Sequence, residues 1–281
     1  DPEGQKNTVK VWYRIRSASY TEMNLRISLD SWKYGTTPAE IEFNKPADVA
    51  FTEVEFTFYK GTAQGGSMSG LEELSEGFCG SDGNIAAENW PKPAGDYTLL
   101  VLIPQSQNFD ACPGIVTFTI EKAELVLTAN EAQAIYGTDP TAIDWKDYRD
   151  VRGLVDGDDL ATVLKDVTFK YEAENYGVGS PVARYNITMT TEGGVKEVAN
   201  YTLKLQTATE ALNITPRPLT GNIQNPTELT YSGKTIPATF KPTNAVGEDK
   251  LEFEYTYYKV GGGKIEGEPK DVGSYYVTEK Q

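Results

Sequence analysis

Apolar and polar residues alternate with period two in short runs along the chain. Val54, Phe56 and Phe58 share one side of such a run, with Glu55, Thr57 and Tyr59 on the other. Tyr97, Leu99 and Val101 form a second set, Tyr185, Ile187 and Met189 a third, and Tyr201, Leu203 and Leu205 a fourth. Successive side chains of a strand point to opposite faces, so these runs predict β-strands with one buried face. Clusters rich in Gly, such as Gly61 to Gly70, Glu192-Gly193-Gly194 and Gly261-Gly262-Gly263, separate them as turn chemistry requires. One stretch departs from the pattern. Leu160, Val163 and Leu164 stand at i, i+3 and i+4, with Asp158 where an N-cap would sit, and predict one short helix.

The runs repeat. A Tyr followed closely by Gly recurs at Tyr34-Gly35, Tyr136-Gly137 and Tyr231-Ser232-Gly233, at intervals of about 100 residues. A short apolar segment precedes each: Leu25 to Leu29, Leu125 to Thr128, and the weaker Leu219 to Ile223. Val54-Glu55-Phe56-Thr57-Phe58-Tyr59-Lys60 matches Phe253-Glu254-Tyr255-Thr256-Tyr257-Tyr258-Lys259. Behind these lie Gly95-Asp96-Tyr97-Thr98 and Gly273-Ser274-Tyr275-Tyr276, with Ala183-Arg184-Tyr185-Asn186 in the middle copy. Val116 to Ala123 and Ala211 to Pro218 close a unit and lead into the next, and Val11 to Ala18 fits the same slot.

Several short strands per unit of this size predict an all-β fold of tandem immunoglobulin-like β-sandwich domains arranged end to end, with one short helix in the middle domain. The expected boundaries are 1–20 for the closing strand of a preceding domain or a docking strand, 21–123 for the first repeat with a loop insertion at 61–92, 124–215 for the second, and 216–281 for a third that stops ahead of its own closing strand. Closing and opening strands are separated by only a few residues, and Pro216 and Pro218 stiffen the second connection. The expected object is an elongated, semi-rigid monomer within a longer chain.

Composition narrows the chemistry. The formal charge is -15, with 26 Lys plus Arg against 41 Asp plus Glu, opposite in sign to what phosphates or an anionic membrane require. There is no His, which removes the commonest general base and metal ligand and excludes Ser-His-Asp and Cys-His arrangements. No apolar run approaches the roughly 20 residues that span a bilayer. The reading is therefore of a non-enzyme without a cofactor, and without nucleic-acid binding or direct membrane insertion.

The middle copy carries an ordered set of motifs: Tyr136-Gly137 with Pro140, then Gly153-Leu154-Val155-Asp156-Gly157-Asp158 and Leu164, Ser180-Pro181-Val182 before Tyr185, Asn200-Tyr201-Thr202-Leu203, and Leu212-Asn213-Ile214-Thr215-Pro216. Over nearly all of residues 124 to 216 it resembles the bacterial extracellular repeat known as the MBG domain, of the YG type, and the flanking copies look like related bacterial immunoglobulin-like repeats. The resemblance implies a structural spacer of a secreted or cell-surface, adhesin-like bacterial protein. The alternative is a module that itself binds a glycan or a host or cell-surface protein through loop aromatics.

Few side chains are candidates for specific chemistry. Trp12, Trp32, Trp90 and Trp145 fall near predicted strand ends or loops, and Trp32 and Trp90 are the candidates for stacking on a sugar, against packing at a core or junction. Asp156, Asp158 and Asp159 are a weak calcium candidate, against a turn followed by a capped helix rich in acid. Cys79 and Cys112 sit in predicted loops on either side of the Tyr97 strand. In an exported protein they are expected to form a disulfide, closing a loop of about 34 residues and stabilising by ~3–4 kcal/mol, against two unrelated free thiols.

Overall fold

The computed structural model describes residues 13–19, 25–45, 51–227 and 229–280. It is built mostly of strands in several sheets, with one α-helix among the described residues. The chain separates into two compact units. One takes residues 1–127, 150–168 and 191–204, the other 128–149, 169–190 and 205–281.

The first part of the chain holds β1 (Ala18–Ser19), β2 (Arg26–Ser28), β3 (Trp32–Lys33), β4 (Glu42–Asn44), β5 (Glu53–Lys60), β6 (Glu72–Gly80), β7 (Gly95–Ile103), β8 (Phe109–Asp110) and β9 (Cys112–Glu121). Five of these form one sheet in the order β3-β9-β7-β5-β6, while β2 pairs with β4 and β1 with β8. The alternation read from the sequence governs what is buried. Val54, Phe56 and Phe58 on β5 and Leu99 and Val101 on β7 are at most 1% exposed and form one core with Leu25, Leu29, Ile41 and Phe51. Burying side chains of this size stabilises by about 1.5–3 kcal/mol each. Thr98 is also fully buried, but its hydroxyl donates to the Gly61 carbonyl at 2.7 Å and accepts the Ala63 N–H at 2.9 Å.

Two expectations fail in this sheet. Residues 61–92 are not a plain loop insertion, because β6 pairs along the full length of β5, from Glu53 opposite Gly80 to Lys60 opposite Glu72. Its Gly77 lets the Phe56 ring lie close, where a Cβ would come within 2.9 Å of Cζ. Nor does the Cys79–Cys112 bridge form: both thiols are free and both lie on strands. Cys79 stands opposite Val54, and Cys112 opposite Ile103. With β5 and β7 between them, the two cysteines are three strand spacings apart, roughly 14 Å. A disulfide cannot bridge Cα atoms beyond about 7 Å.

The middle of the chain contributes β10 (Ala123–Ala129), β11 (Ala132–Ile135), β12 (Tyr148–Arg152), the helix α1 (Leu160–Val163), β13 (Phe169–Ala173), β14 (Arg184–Thr191), β15 (Glu197–Val198), β16 (Tyr201–Gln206) and β17 (Ala208–Thr215). They form sheets in the orders β12-β10-β16-β15 and β11-β17-β14-β13. The helix is capped by Asp159, not by Asp158 as expected: the Asp159 carboxylate accepts the Thr162 N–H at 2.8 Å. The Thr162 hydroxyl, and then that N–H, hold the Asp159 carboxyl below the usual range. The last part supplies β18 (Gly221–Gln224) paired with β19 (Thr239–Pro242), and β20 (Glu254–Lys259) paired with β21 (Tyr275–Lys280).

Sequence repeats become register repeats. Lys60 opposes Tyr97 and Phe58 opposes Leu99 in the β5–β7 ladder, as Lys259 opposes Tyr275 and Tyr257 opposes Val277 in β20–β21. Three tyrosines at strand starts donate their hydroxyl to the carbonyl four residues upstream: Tyr97 to Pro93 at 2.7 Å, Tyr185 to Pro181 at 2.7 Å and Tyr275 to Asp271 at 3.0 Å. Burial, with a smaller contribution from Asp82, pushes the Cys79 thiol up to about 11. Thiol labelling of the native protein under oxidising conditions is therefore expected to modify Cys112 first and Cys79 only on unfolding. Loss of both thiols in the folded monomer would contradict this geometry.

Candidate functional site

The Tyr-Gly pairs that mark the repeats are the most specific geometry in the molecule. β3 runs parallel to β9, with Trp32 opposite Ile120 and Lys33 opposite Glu121. The ladder ends with the Tyr34 N–H on the Glu121 carbonyl at 2.8 Å. β11 runs parallel to β17, with Ala134 opposite Ile214 and Ile135 opposite Thr215, and ends with the Tyr136 N–H on the Thr215 carbonyl at 2.8 Å. Each strand then turns sharply. Gly35 and Gly137 have φ of 81° and 80°, the region that glycine enters without a Cβ penalty. The Thr36 and Thr138 hydroxyls both close the turn on the carbonyl three residues back, at 2.7 Å.

Each turn meets a Val and an Asp three residues apart on a second turn. At the first, the Tyr34 hydroxyl lies 3.0 Å from both Asp158 oxygens. A Cβ on Gly35 would come within 2.4 Å of Val155 Cγ2, so the backbone of the Tyr-Gly turn lies directly against that side chain. The Asp158 N–H donates to the Val155 carbonyl at 3.1 Å, with Gly157 at φ 90° between them. At the second, the Tyr136 hydroxyl donates to Asp249 at 2.7 Å, and a Cβ on Gly137 would reach Val246 Cγ2 at 2.3 Å. There the Asp249 N–H donates to the Val246 carbonyl at 3.3 Å, with Gly247 at φ 55°.

The first contact is the more deeply built. The buried Tyr201 also donates its hydroxyl to Asp158 and accepts the Val155 N–H at 3.0 Å, while its ring meets Tyr34 edge to face at 5.6 Å. Nearby, Asn200 Oδ1 accepts the Ala94 N–H at 3.0 Å and its carbonyl accepts the Ala123 N–H at 2.9 Å. Burial and then the Asp158 carboxylate raise the Tyr34 hydroxyl, and the same causes push Tyr201 up to about 12. The second contact is more exposed: its hydrogen bond to Asp249, more than burial, raises Tyr136, and Arg217 Nε donates to the Tyr136 carbonyl at 2.6 Å.

These placements revise the candidates read from the sequence. Trp90 is buried and Trp32 half-buried against the same core; they meet edge to face at 5.4 Å, and Trp32 stacks on Phe118 at 5.0 Å. Trp90 Nε1 donates inward to the Ile85 carbonyl at 3.2 Å. Trp90 is thus part of the core, and Trp32 packs against that core while keeping some of its surface exposed. Trp145 stacks on Tyr171 at 6.3 Å, and Trp12 lies outside the described residues. The aspartates do not converge on a cation: Asp158 accepts two tyrosine hydroxyls and Asp159 caps α1. No group of three or more His, Cys, Asp or Glu among the described residues is arranged to hold a metal, and no described helix is long and apolar enough to cross a membrane. The partners of the Tyr-Gly turns escaped the sequence reading. A signal was present: Val155 and Asp158 recur as Val246 and Asp249 at the same separation.

Two measurements check this geometry. Gly35→Ala and Gly157→Ala each place a side chain at positive φ, at about 1–2 kcal/mol. Only Gly35→Ala drives a methyl into Val155, because Gly157 faces open space, so it is expected to lose a further ~1–3 kcal/mol in denaturant unfolding. Equal losses would contradict the close contact. A raised Tyr201 favours the native state while its hydroxyl is protonated. Its contribution is full below pH 10 and is lost as pH rises through about 12. Thermal stability should fall across that window, and less so in Tyr201→Phe.

No protein-family model matches this chain, and no characterised protein matches its sequence, so function is read from the two turns themselves.

Proposed function

We propose that this chain is a run of tandem immunoglobulin-like repeats that serves as a non-catalytic structural spacer in a secreted or cell-surface, adhesin-like bacterial protein, with MBG-like residues 124–215 as its middle repeat. The observation that carries the reading is the duplicated contact: a Tyr-Gly turn set against a Val and an Asp three residues apart, once at Tyr34 and again at Tyr136. In this reading each Tyr-Gly turn belongs to one repeat and each Val-Asp turn to the next, so the same joint is used twice. A joint of backbone against side chain, locked by a hydroxyl on a carboxylate, limits the angle between neighbours. A spacer needs that, and an enzyme does not.

Two further features support it. Tyrosines that bond back to an upstream carbonyl at a strand start are characteristic of immunoglobulin-like sandwiches, and Tyr97, Tyr185 and Tyr275 all do so. The excess of acid suits solubility outside the cell. The alternative, a glycan-binding module, is left with weaker candidates, because Trp90 lies in the core and Trp32 packs against it.

Small-angle scattering tests the spacer. A compact globule of this length has a radius of gyration of about 19 Å. The expected value lies well above that and stays constant on dilution; a value near the compact figure would overturn the reading.

A further inference from the structure

We infer that β6 is a docking edge, and that it takes as an added strand an extended partner segment in which Lys or Arg alternates with small apolar residues. The inference goes beyond the spacer reading and does not rest on it. β6 is the last strand of the five-stranded sheet, and among the described residues it pairs only with β5. An edge of this kind presents a row of N–H and C=O groups to any extended chain that can lie about 4.8 Å away.

Edges are ordinarily blunted by shortness, by Pro, by inward-pointing charge or by charge along the edge. Only the last of these applies to β6 over Ser75 to Gly80. The strand runs nine residues, Glu72–Gly80, without Pro. Its inward positions hold Ser75, Gly77 and Cys79, opposite Phe58, Phe56 and Val54. The bulge at Leu74 sits towards one end and leaves Ser75 to Gly80 in regular register. Phe78, outward beside Glu55, is 65% exposed. A strand protected only against pairing does not need a bare phenylalanine on its rim.

The charge along this edge has a single sign. Glu53, Glu55, Glu73 and Glu76 share the outward face with Phe78, and none makes an ion pair with another described residue. Burial, and then the Glu73 and Glu76 carboxylates, raise the Tyr59 hydroxyl, which sets both acids beside the same outward side chain.

Such an edge selects its partner by charge. A second copy would set glutamate against glutamate, and like charges facing across a strand pair destabilise it. A strand with Lys or Arg on its outward side instead meets Glu73 and Glu76, and lays an aliphatic stem and a cation on the Phe78 ring. Its alternate side chains point inward beside Gly77 and Cys79. That side is bordered by the turn at 87–89, which the Ser75 hydroxyl holds by donating to the Asn89 carbonyl at 2.6 Å, so small apolar residues suit it.

Fluorescence anisotropy with the labelled octapeptide (Lys-Val)4 on the full chain tests this. The expected result is saturable binding that weakens as salt rises. It falls at least ~tenfold in Glu73→Lys/Glu76→Lys, and that variant binds (Glu-Val)4 instead. Phe78→Ser weakens it as well. All three positions are exposed, so the variants are expected to keep the parent's thermal midpoint. The same octapeptide N-methylated at every residue keeps its charges but has no amide donors, and is expected not to bind the parent. Absence of saturable binding overturns the inference, as does binding that the N-methylated peptide retains or the charge-swapped variant leaves unchanged. Self-association of the parent that Phe78→Ser abolishes would give the edge to a second copy, and overturns it too.

Discussion

The contact between a glycine backbone and a valine side chain, locked by a tyrosine hydroxyl on an aspartate, is the constraint from which the rest follows. Each part is weak alone. A hydrogen bond to a charged group contributes about 1.5–3 kcal/mol at most, and less where water competes. What gives the contact its specificity is that the parts depend on one another. The Tyr-Gly turn must be left-handed at Gly35 for the backbone to reach Val155, and the turn beginning at Val155 must place Asp158 under Tyr34. Tyr201 completes it by occupying the remaining capacity of Asp158 and bonding the Val155 N–H. The second occurrence, at Tyr136, Gly137, Val246 and Asp249, keeps the same four residue types without the buried tyrosine.

Much of the fold was legible in the sequence, because its strands obey a simple rule. Where one face is apolar and the other polar, as in Val54, Phe56 and Phe58, period two reads directly as a half-buried strand. β6 escaped for the opposite reason. It is an edge strand with Glu72, Glu73, Glu76 and exposed Phe78, and nothing in its own pattern distinguishes it from a loop; its pairing is fixed by β5. The cysteines misled because chain spacing says nothing of how many strands intervene. Trp90 lies in the core and Trp32 packs against it, because a tryptophan near a predicted strand end is equally at home beneath the sheet.

The site was half legible. Tyr34 and Tyr136 stood out by repetition, but their role lay in partners more than 100 residues downstream, and the recurrence of those partners does not by itself say which turn meets which. Asp158 was noticed as a helix cap, a local role that its neighbour Asp159 takes. Freed from the cap, Asp158 serves the long-range contact. In the proposed reading this division of labour turns a string of separate sandwiches into a string with defined angles.

A double-mutant cycle between Tyr34 and Asp158 tests the central claim most directly. Unfolding free energies of the parent, Tyr34→Phe, Asp158→Ala and the double variant isolate the coupling between the two side chains. The account predicts a favourable coupling of about 1–2 kcal/mol. A coupling indistinguishable from zero would mean that the hydroxyl and the carboxylate are neighbours without a bond, and the contact would lose its lock.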